Sequence, residues 1–568
     1  MDFSQINKIK NLLNKKEKII IFFLFILMFL NSLIEILSIG ILIPLITMMF
    51  DGNNTSTFSN ILFFDKIFNN LFISQDIRKI LILIVLIFTT KNLFIIFYNY
   101  FLGRTAMNIR LRLVNDLYKR YLSQNYEFFL SKNTSEIIRN INEAQYFSVV
   151  LISYLTFFLE ILVVSFLTFF LILINFKVTL PVLICLTIAV LLINKFSKNR
   201  LFNWGLQRQK YQKDINKNIF ENFLNVKEIK ILNKEKFFSN RFINLDKYLA
   251  NIEFKTDILL QFPRVIIEVL CVMVICFVIY ISLSFFSLNE IVILVSIYAA
   301  SVVRLMPSAT RISASIQRIV FFKPLINLIS KEYKLKLNNN VYKDTKYLTN
   351  FKKLKLSNVS FNYNQSINIL SNINLEINKN TISCFVGKNG SGKTTLINII
   401  SGLLAPTKGK VFYNENSNLN KNSLKFGYVA QNINLIDDTI KNNIIFGNNI
   451  KKFEIKNFIN SVKQSGINDF IKKLPKKFNT FVGDRGIKIS GGQSQRIGIA
   501  RALYNNPDII ILDEFNSNLD ALSEQKIIKN FIKLKKSKTI LIITHKKSII
   551  KFCDNAFLIK DKKLIKIK

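Results

Sequence analysis

The chain has 568 residues, half of them hydrophobic and 13% aromatic, with a mean hydropathy of +0.28. That balance excludes a disordered chain and argues against an ordinary soluble enzyme. The formal net charge of +42 suits a membrane surface or nucleic acid, and a coding bias toward Lys, Asn, Ile and Phe accounts for it equally well.

In chain order, six apolar runs are long enough to cross a bilayer, which takes about 20 residues. They are Ile19–Phe50 (containing Glu35 and Pro44), Ile80–Leu102 (containing Lys91), Val149–Ile174, Val178–Ile193, Ile258–Ser282 and Ile291–Met306. The first follows a cluster of lysines and is too long for a signal-peptide core, so it reads as a retained helix. Between the first two runs, Ile61, Phe64, Phe68 and Leu71 repeat at helical spacing. This predicts either an amphipathic helix in the outer interface or a small cap on the bundle. Lys and Arg crowd the N-terminus and two long connections, around Arg104–Arg139 and Lys195–Lys255. These parts and the C-terminal half are therefore expected in the cytoplasm, with the chain multi-pass in the inner (cytoplasmic) membrane. Connections of about 45–65 residues are too long for simple loops. They predict helices that leave the membrane and return as two cytoplasmic arms.

The expected division is a transmembrane domain over residues 1–330, a linker over 331–350 and a nucleotide-binding domain over 351–568. In the last, β-type runs alternate with helical stretches, which predicts an α/β domain. Strand-like Thr381–Val386 leads into Gly387-Lys388-Asn389-Gly390-Ser391-Gly392-Lys393-Thr394 and then a helix from Thr395. This is a P-loop in its required setting. Glycine-bounded backbone N–H groups and a helix N-terminus cradle phosphate, Lys393 reaches the β- and γ-phosphates, and Thr394 is placed for Mg²⁺. A buried-strand run, Ile509–Leu512, ends in Asp513-Glu514, which suit the Mg²⁺ shell and the attacking water respectively. A further strand, Thr539–Thr544, ends in His545, the only histidine of the chain. One histidine excludes a site that needs two His ligands. The five cysteines, Cys185, Cys271, Cys276, Cys384 and Cys553, form no C-x-x-C pair and read as reduced structural thiols.

Ser490-Gly491-Gly492-Gln493, followed by Ser494-Gln495-Arg496, resembles the signature of ABC transporter ATPases. Gln431 resembles that family's Q-loop residue, Ser517-Asn518-Leu519-Asp520 its D-loop, Thr544-His545 its switch histidine, and Tyr363 the aromatic residue that stacks on adenine. The layout of six helices, two arms and one ATPase domain resembles an ABC exporter half-transporter. The resemblance implies a polytopic α-helical membrane domain fused to a C-terminal α/β P-loop ABC ATPase domain, with ATP and Mg²⁺ as cofactors. It implies catalytic roles for Glu514, His545 and Gln431. Nucleotide contacts fall to Tyr363, Gly387, Gly390, Ser391, Gly392, Lys393, Thr394, Thr395, Ser490, Gly491, Gly492, Gln493 and Asp520, and Mg²⁺ contacts to Thr394, Gln431 and Asp513. A second copy of the chain would complete each ATP site. The sequence departs from the family pattern at Ile489, Phe515, Asn516 and Asn518; the last three bear on hydrolysis rate rather than on binding.

Basic residues inside membrane runs point to the cargo, because a charge at the helix centre costs about 2.5–3.5 kcal/mol. Lys91 and Arg304 lie about 20 Å from the outer ends of their helices, and Arg264 and Arg311 about 30 Å, at 1.5 Å per residue. Together they suggest a cationic path for an anionic head group, although Arg264 and Arg311 would equally reach the inner surface by snorkelling. Phe262-Pro263-Arg264 and Arg304–Arg311 resemble the flippase family that moves lipid-linked oligosaccharides in bacterial protein N-glycosylation. That resemblance implies a polyprenyl-pyrophosphate-linked oligosaccharide, flipped from the inner to the outer leaflet. The alternatives are export of a lipid A precursor, a peptide or a drug. A soluble nucleic-acid-binding ATPase is disfavoured by the six runs.

Overall fold

A computed structural model describes residues 3–40, 77–174, 176–282, 288–337, 351–363, 368–414, 424–447, 453–516 and 519–568. The amphipathic stretch expected at 58–73, most of the linker and two D-loop residues, Ser517 and Asn518, lie outside them. The chain divides into two compact units. One is Met1–Gln124 with Ser131–Asn338, and the other is Asn125–Leu130 with Asn339–Lys568. The division falls inside the expected linker.

The first unit is helical: α1 (Phe3–Leu12), α2 (Lys15–Gly40), α3 (Ile77–Leu122), α5 (Thr134–Ala144), α6 (Phe147–Ile174), α7 (Phe176–Leu224), α8 (Val226–Ile231), α9 (Glu235–Ser282), α10 (Leu288–Phe321) and α11 (Lys323–Glu332). A short helix α4 (Tyr126–Ser131), between α3 and α5, groups almost wholly with the second unit. Helices stand at the described parts of all six expected membrane runs. Among the described residues, Lys15–Ser38, Leu81–Leu122, Thr134–Leu173 and Glu235–Phe277 are long and apolar enough to cross a membrane, and the bent pair Ser301–Phe321 and Lys323–Glu332 adds a fifth candidate. Only helices satisfy their backbone within one segment, which is why the apolar runs take this form in lipid. Three long helices cover the connections where arms are expected. α3, α7 and α9 run 46, 49 and 48 residues, far beyond a bilayer's thickness.

Packing on the membrane side is apolar. Ile267 and Cys271 of α9 meet Val302 and Ala309 of α10 in one buried cluster. Ile19, Phe22, Leu93, Ile96 and Leu191 point outward and are exposed, as a lipid-facing surface requires. Beyond the apolar zone, polar ties take over. Arg112 pairs with Glu17 at 2.5 Å and bonds the Tyr333 hydroxyl at 3.2 Å. Tyr121 donates to Glu332 at 2.9 Å, Asn140 donates to Tyr121 at 2.8 Å, and Lys132 closes on Glu332 at 2.8 Å. These groups bind α3, α5 and α11 together. Arg208 of α7 pairs with Glu143 at 2.5 Å under the rings of Tyr146, Phe321 and Phe322.

Gly205 lets α7 approach the end of α10. A Cβ there would lie 2.1 Å from the Phe321 carbonyl oxygen, a backbone atom that cannot step aside alone. Gly205→Ala is expected to destabilise the first unit by about 1–3 kcal/mol, the range for overpacking, and thermal unfolding of the purified variant checks it.

The second unit is α/β. Its strands are β1 (Lys353–Asn362), β2 (Asn368–Asn378), β3 (Ile382–Val386), β4 (Lys408–Tyr413), β5 (Phe426–Val429), β6 (Ile509–Asp513), β7 (Thr539–Ile543), β8 (Asn555–Lys560) and β9 (Lys563–Lys566). Its helices are α12 (Lys393–Ile400), α13 (Ile440–Ile445), α14 (Ile455–Gln464), α15 (Asn468–Lys473), α16 (Gly491–Tyr504), α17 (Ala521–Leu534) and α18 (Lys547–Ile550). A three-stranded antiparallel sheet has the order β2-β1-β4, and a six-stranded sheet the order β5-β6-β7-β3-β8-β9. In the larger sheet β5, β6, β7, β3 and β8 are parallel. Strands β3, β6 and β7 are buried along their whole length, so each reads as an unbroken apolar run.

Candidate ATP site and the charges between the membrane helices

Register brings the motifs level. Val429 pairs with Leu512, Asp513 with Ile543 and Phe385 with Ile543. The C-terminal ends of β5, β6, β7 and β3 therefore open side by side and deliver Gln431, Asp513-Glu514, His545 and the P-loop to one edge. That edge is where parallel α/β sheets hold ligands.

Glu514 lies at the centre. Its oxygens accept from Gln431 Nε2 at 2.7 Å and lie 2.8 Å from His545 Nε2. Its backbone is left-handed, with φ +45°, and its N–H donates to the Ile543 carbonyl at 3.1 Å. A strained conformation held this firmly aims the carboxylate. Asp513 is buried and accepts from the Tyr428 hydroxyl at 3.2 Å. Burial pushes its carboxyl above the usual range, while the Tyr428 hydrogen bond opposes the shift. The same burial and the neighbouring carboxylate push the Tyr428 hydroxyl up. Tyr428 is the contact that sequence reasoning missed: it flanks the Q-loop glutamine, yet nothing in a strand pattern marks its hydroxyl as Asp513's donor.

The P-loop is built as its glycines require. Gly390 and Gly392 have φ of +79° and +99°, and a Cβ at Gly387 would lie 2.7 Å from both Ser391 Oγ and the Ile559 carbonyl. Lys393 is 6% exposed, and its Nζ donates to the carbonyls of Gly387 and Lys388 at 2.9 and 3.0 Å. Burial lowers its pKa, and Glu514 and Asp513 counter the effect. Ser391 Oγ is buried with no hydrogen-bond partner. An orphaned donor within a glycine cradle fits a phosphate oxygen. Tyr363 stands half-exposed beside it, its hydroxyl 3.3 Å from Thr395 Oγ1 and its ring edge-on to Phe361 at 4.9 Å.

No group of three or more His, Cys, Asp or Glu gathers among the described residues. Mg²⁺ does not need one, because it binds through one or two protein oxygens plus phosphates and water. Exposed Thr394 and the Asp513 carboxylate fit that donor set.

The signature segment is folded separately. Ser490 caps α16 in a capping box with Gln493, the backbone N–H of Ser490 donating to Gln493 Oε1 at 3.0 Å. Arg496 donates to the Ser523 hydroxyl and lies 4.0 Å from Asp520, which itself caps α17. The Ser523 hydrogen bonds keep Asp520 below the usual carboxylate range. Among the described residues no hydrogen bond or ion pair joins Ser490–Gln493 to Gly387–Thr394. The unusual Phe515 and Asn516 are internal. Phe515 is buried edge-on to Phe531 at 5.6 Å, and Asn516 donates to Glu524 at 3.0 Å, a carboxylate that Lys546 also holds at 2.7 Å.

A family model described as the ABC transporter covers residues 370–517, and one described as the ABC transporter transmembrane region covers residues 21–306, just over half the chain. The chain is an ABC transporter. This transporter is 27% identical over 540 residues to an export ATP-binding/permease protein of Rickettsia typhi, covering 90% of this chain and 91% of that one. It is 39% identical over 214 residues to a multidrug export ATP-binding/permease protein of Staphylococcus aureus, covering 37% of each. Its fold matches a bacterial Atm1-family ABC exporter with ATP bound at a TM-score of 0.77, with 18% identity and coverage of 96% and 94%. It is thus a multi-pass half-transporter with fused membrane and ATPase domains, and its ATP hydrolysis is coupled to export.

On the membrane side the structure places carboxylates beside two of the four cations expected along the path. Arg304 is gripped by buried Glu35 through both carboxylate oxygens, Nε at 2.8 Å. Arg311 pairs with buried Glu160 at 2.6 Å. Two carboxylates therefore offset two of the four cations. Lys91 donates to Ser38 at 3.1 Å, and among the described residues Arg264 is exposed and makes no ion pair. These pairs have a simple cause: a charge inside a membrane is normally paired.

Proposed function

We propose that two copies of the chain form one transporter in the inner membrane. It moves an amphipathic anionic lipid, in the first instance a polyprenyl-pyrophosphate-linked oligosaccharide, from the inner to the outer leaflet. The observation that carries the substrate class is a pair of cations between membrane helices: Arg304 pairs with buried Glu35, while Lys91 bonds the Ser38 hydroxyl and, among the described residues, makes no ion pair. Lys91 is thus a cation in excess of the carboxylates that Arg304 and Arg311 hold, which favours an anionic head group.

Each ATP would lie between the P-loop of one copy and Ser490, Gly491, Gly492 and Gln493 of the other; in support, among the described residues no hydrogen bond or ion pair within the chain joins the two segments. Asp520 would line the same boundary. Gly387, Gly390, Ser391, Gly392, Lys393, Thr394 and Thr395 bind the phosphates, and Tyr363 stacks on the base. Thr394, Asp513 and Gln431 would hold Mg²⁺, which when bound would supply positive charge against the phosphates. Glu514 orients the attacking water and draws its proton, and Gln431 and His545 fix both its oxygens. Chelation with EDTA is expected to stop hydrolysis and excess Mg²⁺ to restore it, read as phosphate release.

A second reading is export of another amphipathic substrate, such as a lipid A precursor, a peptide or a drug. The pairing of Arg304 and Arg311 favours it, because it leaves less free charge. Stimulation of the ATPase by farnesyl diphosphate, with farnesol and a lipophilic cation alongside, separates the two. The anionic reading predicts that the diphosphate alone stimulates; stimulation by farnesol or the cation alone contradicts it.

A further inference from the structure

Four membrane helices carry polar groups, some of them joined in pairs. On α2 they are Asn31, Glu35 and Ser38; on α10, Arg304, Ser308 and Arg311. Both sets have spacings of four and three residues, which put each on one helix face. Lys91 and Tyr98 of α3 and Glu160 of α6 complete the group. Ion pairs and hydrogen bonds join Arg304 to Glu35, Arg311 to Glu160 and Lys91 to Ser38. Asn31 Oδ1, Tyr98 OH, Glu160 Oε2 and Ser308 Oγ are buried without a hydrogen-bond partner. Meanwhile α2 packs mainly on α3 and α6, and α10 on α6, α7 and α9. The Glu35–Arg304 pair is therefore a side-chain tie between two helices whose main packing partners are others.

We propose that Glu35 is an exchangeable counter-ion, and that the Glu35–Arg304 pair is a latch between α2 and α10 which the phosphate of the substrate opens. This rests on the anionic-lipid reading above. A diphosphate offers more charge and more acceptor oxygens than a carboxylate, and it fits the same guanidinium fork. Arg304 already holds one anion, so the incoming anion replaces one charge with another. The displaced Glu35 carboxylate, 2% exposed, is then a buried charge without its partner. That state is costly, so exchange drives α2 away from α10. Substrate binding thereby becomes helix movement. Ser308, one turn from Arg304 on the same helix face, adds a buried hydroxyl without a hydrogen-bond partner. A neutral or cationic amphipath cannot displace the carboxylate, so the same pair selects anions.

The test is ATPase activity of the full chain in nanodiscs, titrated with farnesyl diphosphate. Glu35→Gln keeps the shape and removes the competing anion. It is expected to raise the basal rate at least about threefold and to lower the half-maximal farnesyl diphosphate concentration by about tenfold. The charge-swapped E35R/R304E protein is expected to bring the basal rate down again, which a merely space-filling role would not do. Should Glu35→Gln fail to fold, R304K, which keeps the charge and loses the fork, is expected to raise the basal rate in the same direction. An unchanged basal rate overturns the latch. A raised basal rate with an unchanged half-maximal concentration overturns the counter-ion. If the diphosphate stimulates no protein, the anionic-lipid reading and the counter-ion fall, while the basal rates alone decide the latch.

Discussion

Glu514→Gln is expected to bind ATP as the wild type does and to hydrolyse it about 10²–10⁴-fold more slowly, the usual contribution of a positioned general base. The substitution is nearly isosteric. It keeps an oxygen for one of the two donors that flank Glu514, Gln431 at 2.7 Å and His545 at 2.8 Å, and places an amide against the other. Nucleotide binding depends on the P-loop, which the change does not touch. Bound ATP then persists and holds two copies together. Phosphate release measures the first effect, and ATP-dependent crosslinking between copies measures the second. Hydrolysis at the wild-type rate would remove Glu514 from its role.

Lys393→Ala is expected to weaken ATP binding by about 10–100-fold, as the loss of a charge-assisted hydrogen bond worth about 1.5–3 kcal/mol implies. Hydrolysis should fall with it. Lys393 also bonds the Gly387 and Lys388 carbonyls, so part of the loss would come from a loosened loop. Lys393→Met loses the ammonium and its bonds but fills the same space, and so separates lost packing from the loss of the charged donor. Equal losses in both variants assign the effect to the charge, measured by equilibrium nucleotide binding and with thermal unfolding as the control for folding. Unchanged ATP affinity in both would refute the site.

The ATPase fold was legible because its information is local. Gly387–Thr394 must follow a strand and open a helix, and Ile509–Leu512 must be a buried strand to bring Asp513 and Glu514 to its end. The membrane helices were legible for the same reason, since an apolar run in lipid has no alternative to helix. What a sequence scan does not show is which helix faces which. Glu35 and Arg304 are 269 residues apart, and nothing along the chain says that α2 and α10 present these side chains to each other. Spacing carried a partial signal: Asn31, Glu35 and Ser38 share a face, as do Arg304, Ser308 and Arg311. Weighing carboxylates with the same care as cations would have predicted partners, though not which ones. The contact of Tyr428 with Asp513 was hidden similarly, because register between neighbouring strands sets it.

The central claim is that hydrolysis at the Glu514 site drives an anionic lipid across the bilayer. Its most direct test is the full chain reconstituted in liposomes with a fluorescent polyprenyl-pyrophosphate glycan. Movement between leaflets is followed with and without ATP, with Glu514→Gln as the blank. The account predicts ATP-dependent flipping that disappears in the blank. Robust ATP hydrolysis without flipping would contradict it: the exporter would stand and its proposed cargo would not.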